Sequence, residues 1–267
     1  MEIFAFDVDG TLAIYDKPLM PLEKELISRI VAQGNIVIIA SGRPFNGVNK
    51  FLTQFPESDL KYAVCANGAE AYKQKTGDLI FKKGLKYRDF LYIMKKYWKQ
   101  GEEIYTFSGN VLGSMAPGTP WISQEIEASN MTLRDYSEDP AKPGDYISKT
   151  IIASETTEDS AELEKRIDPI DRKKYAIMRS SPYFLEFVNK ADDKSVPIKF
   201  IADRFAIPYD HVHTFGDAMN DYKMIKMFDG TAMGNAQLPV KQVAKRVAPP
   251  VWEDGVGQTL RNVFKVG

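Results

Sequence analysis

The chain has 267 residues and a balanced charge, with 35 Lys and Arg against 36 Asp and Glu. A net charge of −1 provides no bulk field for nucleic acid or for an anionic membrane surface, so neither is an expected partner. The single cysteine, Cys65, excludes a disulfide scaffold, and no apolar run reaches the ~18 residues of a membrane span. No basic or hydrophobic leader precedes the first strand, so a cytoplasmic location is expected.

The first predicted strand, residues 3–6, runs directly into Asp7-Val8-Asp9-Gly10. Four apolar residues without alternation are typical of a strand buried on both faces of a parallel sheet. Ligands of open α/β sheets bind beyond the carboxyl ends of the strands, so Asp7 and Asp9 stand where chemistry is expected. The alternative, from these residues alone, is an Asp-Gly turn in a hairpin.

Helices and strands then alternate. A helix opening at Pro21 has an apolar stripe of period 3.6, and the strand 35–40 ends at Ser41-Gly42-Arg43, which completes a βαβ unit. Three further elements are predicted before residue 83: a helix over 45–54, a strand over 62–66 that ends at Asn67, and a hairpin of 69–73 and 79–82.

The texture changes from about residue 83, where helices mix with antiparallel-looking strands. The predicted helices cover 87–99, 121–129 and 158–167. The predicted strands cover 104–107, 111–115, 146–153, 175–179 and 183–188. We therefore predict an inserted α+β domain over 83–184, which interrupts an α/β core of 1–82 and 185–267 with a doubly wound, Rossmann-like parallel sheet.

The parallel-sheet texture resumes after Lys194. The predicted elements are a helix over 196–205, a strand over 211–215, a strand over 230–233, a helix near Val240 and a helix over 258–264. The strand 211–215 reaches Asp217 and Asp221, which are four residues apart at an expected helix start and would share one face.

Polar clusters thus follow four core strands and would face one crevice at the carboxyl edge of the sheet. Converging carboxylates repel one another unless a cation binds, and oxygen ligands without a Cys or His cluster favour Mg²⁺. The alternative for the Asp217–Asp221 segment is an acidic helix N-terminus. Lys194 could supply a positive charge there, and Ser41 and Gly42 could donate hydrogen bonds. We expect Arg43 either to pair with a substrate group or to brace the crevice, and favour bracing.

In this order the clusters resemble the four motifs of the haloacid dehalogenase (HAD) superfamily. The motif positions are Asp7-Val8-Asp9-Gly10-Thr11, Ser41-Gly42-Arg43, Lys194, and Gly216-Asp217-Ala218-Met219-Asn220-Asp221. Asn67-Gly68-Ala69, Gly234-Asn235-Ala236 and Glu253-Asp254-Gly255-Val256 further resemble the Cof-type sugar phosphatases, which carry an α+β cap of the C2B type at the place of the insertion. The chain departs from the family in having Ser195 rather than Gly after Lys194, which leaves Lys190 as an alternative.

The resemblance implies that Asp7 is the nucleophile and forms an aspartyl phosphate, and that Asp9 is the general acid and base. It implies Mg²⁺ ligation by Asp7, by the Asp9 carbonyl and by Asp217, with Asp221 nearby. The groups implied to hold the phosphoryl oxygens are the Val8 amide, Ser41, Gly42, Lys194 and Asn220. Arg43 and Asn67 are candidates for the substrate side of the site.

The expected function is a Mg²⁺-dependent phosphatase of small phosphorylated metabolites, with sugar phosphates favoured and specificity set by the insertion. A phosphomannomutase-like enzyme would share the nucleophile but needs a second phosphate site, and the arginines of the insertion are scattered rather than paired. A receiver domain that accepts a phosphoryl group for signalling would need neither Asp9 nor an insertion of this size. The oligomeric state cannot be predicted from the sequence.

Overall fold

The computed structural model describes residues 1–14, 17–99, 101–116 and 118–267. The chain forms two compact units, a core of Met1–Lys82 and Asp193–Gly267 and an insertion of Lys83–Asp192. The insertion therefore ends at Asp192 rather than at residue 184. The reason is that the strand Phe184–Asn189 pairs on both sides with strands of the insertion.

The first part of the core alternates strands and helices before it ends in an antiparallel hairpin. The elements are β1 (Ile3–Phe6), α1 (Pro21–Ala32), β2 (Ile36–Ala40), α2 (Phe45–Leu52), β3 (Lys61–Cys65), β4 (Glu70–Lys73) and β5 (Leu79–Lys82). Helix α1 has proline at its first position, where the missing amide costs no hydrogen bond. All residues of β1, β2 and β3 are buried, as expected for strands covered on both faces.

The insertion is a six-stranded sheet, ordered β12-β13-β11-β7-β8-β9, with helices and a separate two-stranded ladder of β6 and β10. Its elements are β6 (Leu85–Lys86), α3 (Tyr87–Tyr97), β7 (Glu103–Ser108), β8 (Val111–Ser114), α4 (Pro120–Ser129), β9 (Thr132–Asp135), β10 (Tyr146–Ile147), β11 (Lys149–Ala153), α5 (Thr157–Lys165), α6 (Pro169–Lys174), β12 (Tyr175–Arg179) and β13 (Phe184–Asn189). The α+β class is as expected, but β8 and β9 pair in parallel and not antiparallel.

The second part of the core returns to strand and helix alternation. Its elements are α7 (Ser195–Arg204), β14 (Val212–Gly216), α8 (Tyr222–Met227), β15 (Asp229–Ala232), α9 (Leu238–Val243), β16 (Arg246–Val247) and α10 (Gly255–Asn262). The expectation that Asp217 and Asp221 begin a helix is wrong, because α8 starts at Tyr222 and the acidic residues lie in the preceding turn.

The core sheet has eight strands in the order β16-β15-β14-β1-β2-β3-β4-β5. The first six are parallel, and β4 and β5 are added antiparallel at one edge. The predicted doubly wound α/β fold is therefore confirmed, and the carboxyl ends of β14, β1, β2 and β3 lie side by side. Among the described helices, none combines the length and apolar character needed to cross a membrane.

Candidate active site

The turn after β1 fixes Asp7 at the end of the strand. The Asp7 amide donates to the Phe215 carbonyl at 3.0 Å, so the parallel ladder continues to this residue. The Val8 carbonyl then accepts the amides of Leu12 and Ala13, both at 2.9 Å, which turns the chain sharply. As a result the Asp7 carboxyl is held buried at the carboxyl edge of the sheet.

Lys194 lies fully buried beside Asp7. Its Nζ donates to Oδ1 of Asp7 and to Oδ1 of Asp221, both at 2.6 Å. Burial opposes a charged ammonium, but the charges of Asp221 and Asp7 outweigh it and raise the pKa of Lys194 above its usual value. Lys190, the alternative in the sequence, instead donates to the Arg172 carbonyl within the insertion. Lys194 is therefore the lysine that contacts the predicted nucleophile.

Asp221 anchors the loop that follows β14. Its Oδ2 accepts the amides of Asp217 and Ala218 at 2.9 and 3.1 Å, while Oδ1 accepts from Lys194. A Cβ on Gly216 would lie 2.5 Å from the Asp221 Cβ, so the close approach needs glycine. Both oxygens of Asp221 thus have partners, which suits a supporting role beside a metal better than direct ligation.

Asp7, Asp217 and Asp221 form an acidic cluster in which one oxygen of each lies within 4.8 Å of the others. Burial, and then the charge of Asp221, raise the pKa of Asp7 well above its usual range despite Lys194. The same two causes raise the pKa of Asp217 to about 7. Oδ1 of Asp217 is buried without a hydrogen-bond partner in the described part of the chain. Three carboxylates against one ammonium therefore leave a deficit of positive charge that a hard cation with oxygen ligands would fill.

Asn235 connects the two loops of this cluster, a role that the sequence analysis missed. Its Nδ2 donates to the Gly10 carbonyl at 2.8 Å and reaches Oδ2 of Asp217 at 3.5 Å, while its Oδ1 accepts the Val251 amide at 2.9 Å. Gly10 has φ +88°, and a Cβ there would lie 2.4 Å from Oδ2 of Asp217. The signal in the sequence was the Gly-Asn-Ala pattern, and that pattern does not show which residues Asn235 contacts.

Asp9 lies outside the acidic cluster and pairs with Arg43. The Arg43 Nε and Nη2 donate to Oδ2 and Oδ1 of Asp9 at 3.0 and 2.6 Å, a two-armed ion pair. The Asp9 side chain is 48% exposed, in contrast to buried Asp7. The predicted metal contact through the Asp9 carbonyl stays a prediction.

The remaining predicted residues meet across the ends of β2, β3 and β14. The Asn67 amide donates to the Ser41 carbonyl, and Nδ2 of Asn220 donates to Oδ1 of Asn67, both at 3.0 Å. A Cβ on Gly42 would lie 3.1 Å from Oδ1 of Asn67, so the two loops approach closely. Asn67 holds a left-handed conformation, φ +57°, which asparagine tolerates better than most residues. The structure therefore gathers Ser41, Gly42, Asn67 and Asn220 in one patch.

Comparisons with known proteins identify the family of this chain. A putative phosphatase of Streptococcus pyogenes serotype M6 is 27% identical over 274 residues, covering 98% of this chain and 97% of its own. The 5-amino-6-(5-phospho-D-ribitylamino)uracil phosphatase YitU of Bacillus subtilis is 25% identical over 278 residues, covering 99% and 98%. The crystal structure of a haloacid dehalogenase-like hydrolase from Bacteroides thetaiotaomicron, 25% identical, superposes with a TM-score of 0.85 over 98% of this chain and 99% of that one. The model of the haloacid dehalogenase-like hydrolase family matches residues 4–260, and the chain belongs to this family of enzymes.

Proposed function

We propose that the protein is a Mg²⁺-dependent phosphatase that hydrolyses phosphomonoesters of small metabolites, with sugar phosphates favoured. The observation that carries the proposal is the buried Asp7, which accepts from Lys194 and belongs to a cluster of three carboxyl groups with this one ammonium among them. The phosphorylated ribityl group in the name of the Bacillus relative supports a polyhydroxylated substrate.

Asp7 is the proposed nucleophile of a two-step transfer. Its carboxylate oxygen attacks phosphorus, the bond to the leaving oxygen breaks, and Asp9 donates a proton to that oxygen. A water then attacks the aspartyl phosphate, gives its proton to Asp9 and releases inorganic phosphate. The Val8 amide, Ser41, Gly42, Lys194 and Asn220 are the proposed partners of the phosphoryl oxygens.

Asp7 and Asp217 are the proposed protein ligands of Mg²⁺, with Asp221 fixing the loop behind them and the Asp9 carbonyl as a further predicted ligand. The unpartnered Oδ1 of Asp217 supports this assignment, because a buried carboxylate oxygen needs a donor or a cation. When bound, the cation would neutralise charge that develops on the phosphoryl group. The predicted role of the insertion in specificity and the cytoplasmic location stay predictions.

A panel of phosphorylated metabolites, each incubated with and without Mg²⁺, tests the proposal. We expect free phosphate to accumulate with time only when Mg²⁺ is present, and sugar phosphates to give the highest rates. A hexose 1-phosphate separates hydrolysis from the mutase reaction. Stoichiometric conversion to the 6-phosphate with little free phosphate would assign the protein as a mutase, and no release from any ester would exclude a phosphatase.

A further inference from the structure

The two-armed ion pair of Arg43 and Asp9 engages both carboxyl oxygens of the proposed general acid and base. A general acid and base must present a carboxyl oxygen to the leaving group and later to water. In the structure, however, both Asp9 oxygens accept from the same guanidinium, at 3.0 and 2.6 Å. Asp9 cannot turn toward a leaving oxygen without breaking at least one of these hydrogen bonds.

The backbone of Arg43 is fixed, and its side chain is accessible. Its amide donates to Oγ of Ser41 at 3.2 Å, and its carbonyl accepts the Ala66 amide at 3.0 Å, so the backbone is fixed by the ends of β2 and β3. The guanidinium lies 5.6 Å from the centre of the Phe51 ring, which supports its flat face. One quarter of the side chain is exposed, so an incoming anion can reach it.

A phosphoryl group is a suitable second partner for this guanidinium. Arginine binds phosphate and carboxylate with the same two-armed geometry, so one can replace the other. Ser41 and Gly42, which directly precede Arg43, are among the proposed phosphate contacts. A phosphoryl group bound there would lie within the reach of a side chain that now holds Asp9.

The geometry points to Arg43 as a positioning residue that exchanges partners: it holds Asp9 while the site is empty and moves to the phosphoryl oxygens of an incoming phosphomonoester, which lets Asp9 turn to the leaving group. This inference rests on the proposed phosphatase function. It differs from simple bracing of the crevice, in which Arg43 would serve only Asp9 and would make no contact with phosphate.

A double-mutant cycle on the binding of inorganic phosphate distinguishes the two roles. The dissociation constant of phosphate is measured by calorimetry, with Mg²⁺ present, for the wild type, Arg43→Gln, Asp9→Asn and the double variant. If Arg43 exchanges partners, phosphate must first displace Asp9 in the wild type. The loss of phosphate affinity caused by Arg43→Gln should therefore be larger in the Asp9→Asn background, where Asp9 is replaced by a neutral residue. We expect about a tenfold loss in the wild type and about a hundredfold loss in the Asp9→Asn background, within the range of hydrogen bonds to charged groups.

An equal, smaller or absent loss in the Asp9→Asn background would overturn the exchange, as would a wild type that does not bind phosphate. Arg29→Gln, which removes an exposed arginine of α1, is the matched control and should leave phosphate affinity within about twofold. Thermal unfolding verifies that each variant folds. Arg43→Lys is the second variant, and in the Asp9→Asn background it should lose less affinity than Arg43→Gln because it keeps the charge.

Phosphate release by the wild type is measured on the same preparation. Hydrolysis with equal losses in both backgrounds would reject the exchange alone. A larger loss of phosphate affinity in the Asp9→Asn background, without any hydrolysis by the wild type, would instead reject the phosphatase function.

Discussion

Asp229 and Asp217 lie at opposite ends of neighbouring core strands and differ in how their charge is balanced. Asp229, at the amino end of β15, accepts two hydrogen bonds from Arg246 at 2.9 and 2.8 Å and lies 2.7 Å from Nδ1 of His213. Burial alone would raise the pKa of Asp229, but Arg246 and His213 outweigh it and lower the pKa. Asp217, just beyond the carboxyl end of β14, has its pKa raised to about 7.

The difference distinguishes a carboxylate with fixed cationic partners, Asp229, from one that the proposed Mg²⁺ would neutralise, Asp217. The buried Asp229 carboxylate has its charge balanced by Arg246 and His213, and these contacts connect neighbouring strands. A buried carboxylate with an unpartnered oxygen costs stability, and such a cost is typical of sites that bind or react. The acidic cluster of Asp7, Asp217 and Asp221 lies at the edge where a parallel sheet binds its ligands.

Asp7→Asn should have the largest effect on activity. The neutral amide is not a nucleophile, so the rate of phosphate release should fall on the order of 10⁴-fold or more. Its oxygen can still accept from Lys194, and one unfavourable buried charge is gone, so we expect the free energy of unfolding to be kept. Steady release near the wild-type rate would contradict the assignment of Asp7.

The matched control is Asp229→Asn, at the other end of the sheet. This variant should keep its activity and lose stability. Phosphate release should stay within a few-fold of the wild type, while denaturant unfolding should show a loss of roughly 1–3 kcal/mol from weakened bonds to Arg246 and His213. If both variants lost activity to the same extent, the separation of the two ends would be wrong.

The next effect concerns Mg²⁺ affinity. Asp217→Asn should raise the Mg²⁺ concentration for half-maximal rate by more than about 100-fold, because loss of a ligand should exceed the 10–100-fold that is typical for loss of a ligand's partner. Asn235→Ala should raise it by about tenfold, since partners of a metal ligand are typically worth 10–100-fold in affinity. Titration of each variant with Mg²⁺ measures both effects, and an unchanged Mg²⁺ requirement in Asp217→Asn would exclude Asp217 as a ligand.

The smallest expected effect concerns Glu23 and the pH dependence of the free energy of unfolding. Its carboxyl is buried near the start of α1, where its Oε1 accepts the Met20 amide at 2.8 Å, and burial raises its pKa to about 8. In the unfolded chain the pKa is about 4.3. Folding therefore retains a proton that the unfolded chain loses, so this contribution to stability is present at low pH and is lost between about pH 4 and pH 8.

Glu23→Gln should flatten that dependence and make the protein more stable than the wild type at pH 8, by an amount on the order of 1 kcal/mol. Denaturant unfolding at pH 5 and pH 8 measures the change. Glu25→Gln removes an exposed charge from the same helix and should change neither value by more than about 0.5 kcal/mol. A Glu23→Gln variant with the wild-type pH dependence would show that the Glu23 charge is tolerated.

The sequence predicted the central strands well because they are buried on both faces. The apolar runs of β1 and β2 do not alternate with polar residues, and a short unbroken apolar run is typical of a parallel strand that is buried on both faces. The short elements β9 and α6 were not predicted, because their four and six residues show neither an unbroken apolar run nor a clear period.

The candidate site was predicted as a set of residues and not as a set of contacts. The spacing of Asp217 and Asp221 suggested one helix face, whereas Asp221 folds back to cap the Asp217 amide in a turn. Asn235 contacts Gly10 across 225 positions, and no local pattern encodes such a contact. Both roles of Arg43 were open in the sequence, and the pairing with Asp9 is seen only in the structure.

The place of β1 in the sheet also matters while the protein is being made. One neighbour, β2, follows within the same βαβ unit, but the other is β14, where Val212 pairs with Ile3. At ~5–20 residues per second, the ribosome adds residue 212 roughly 10–40 s after residue 3. During that time β1 presents an apolar, unpaired edge on the nascent chain, which is the kind of surface that chaperones bind.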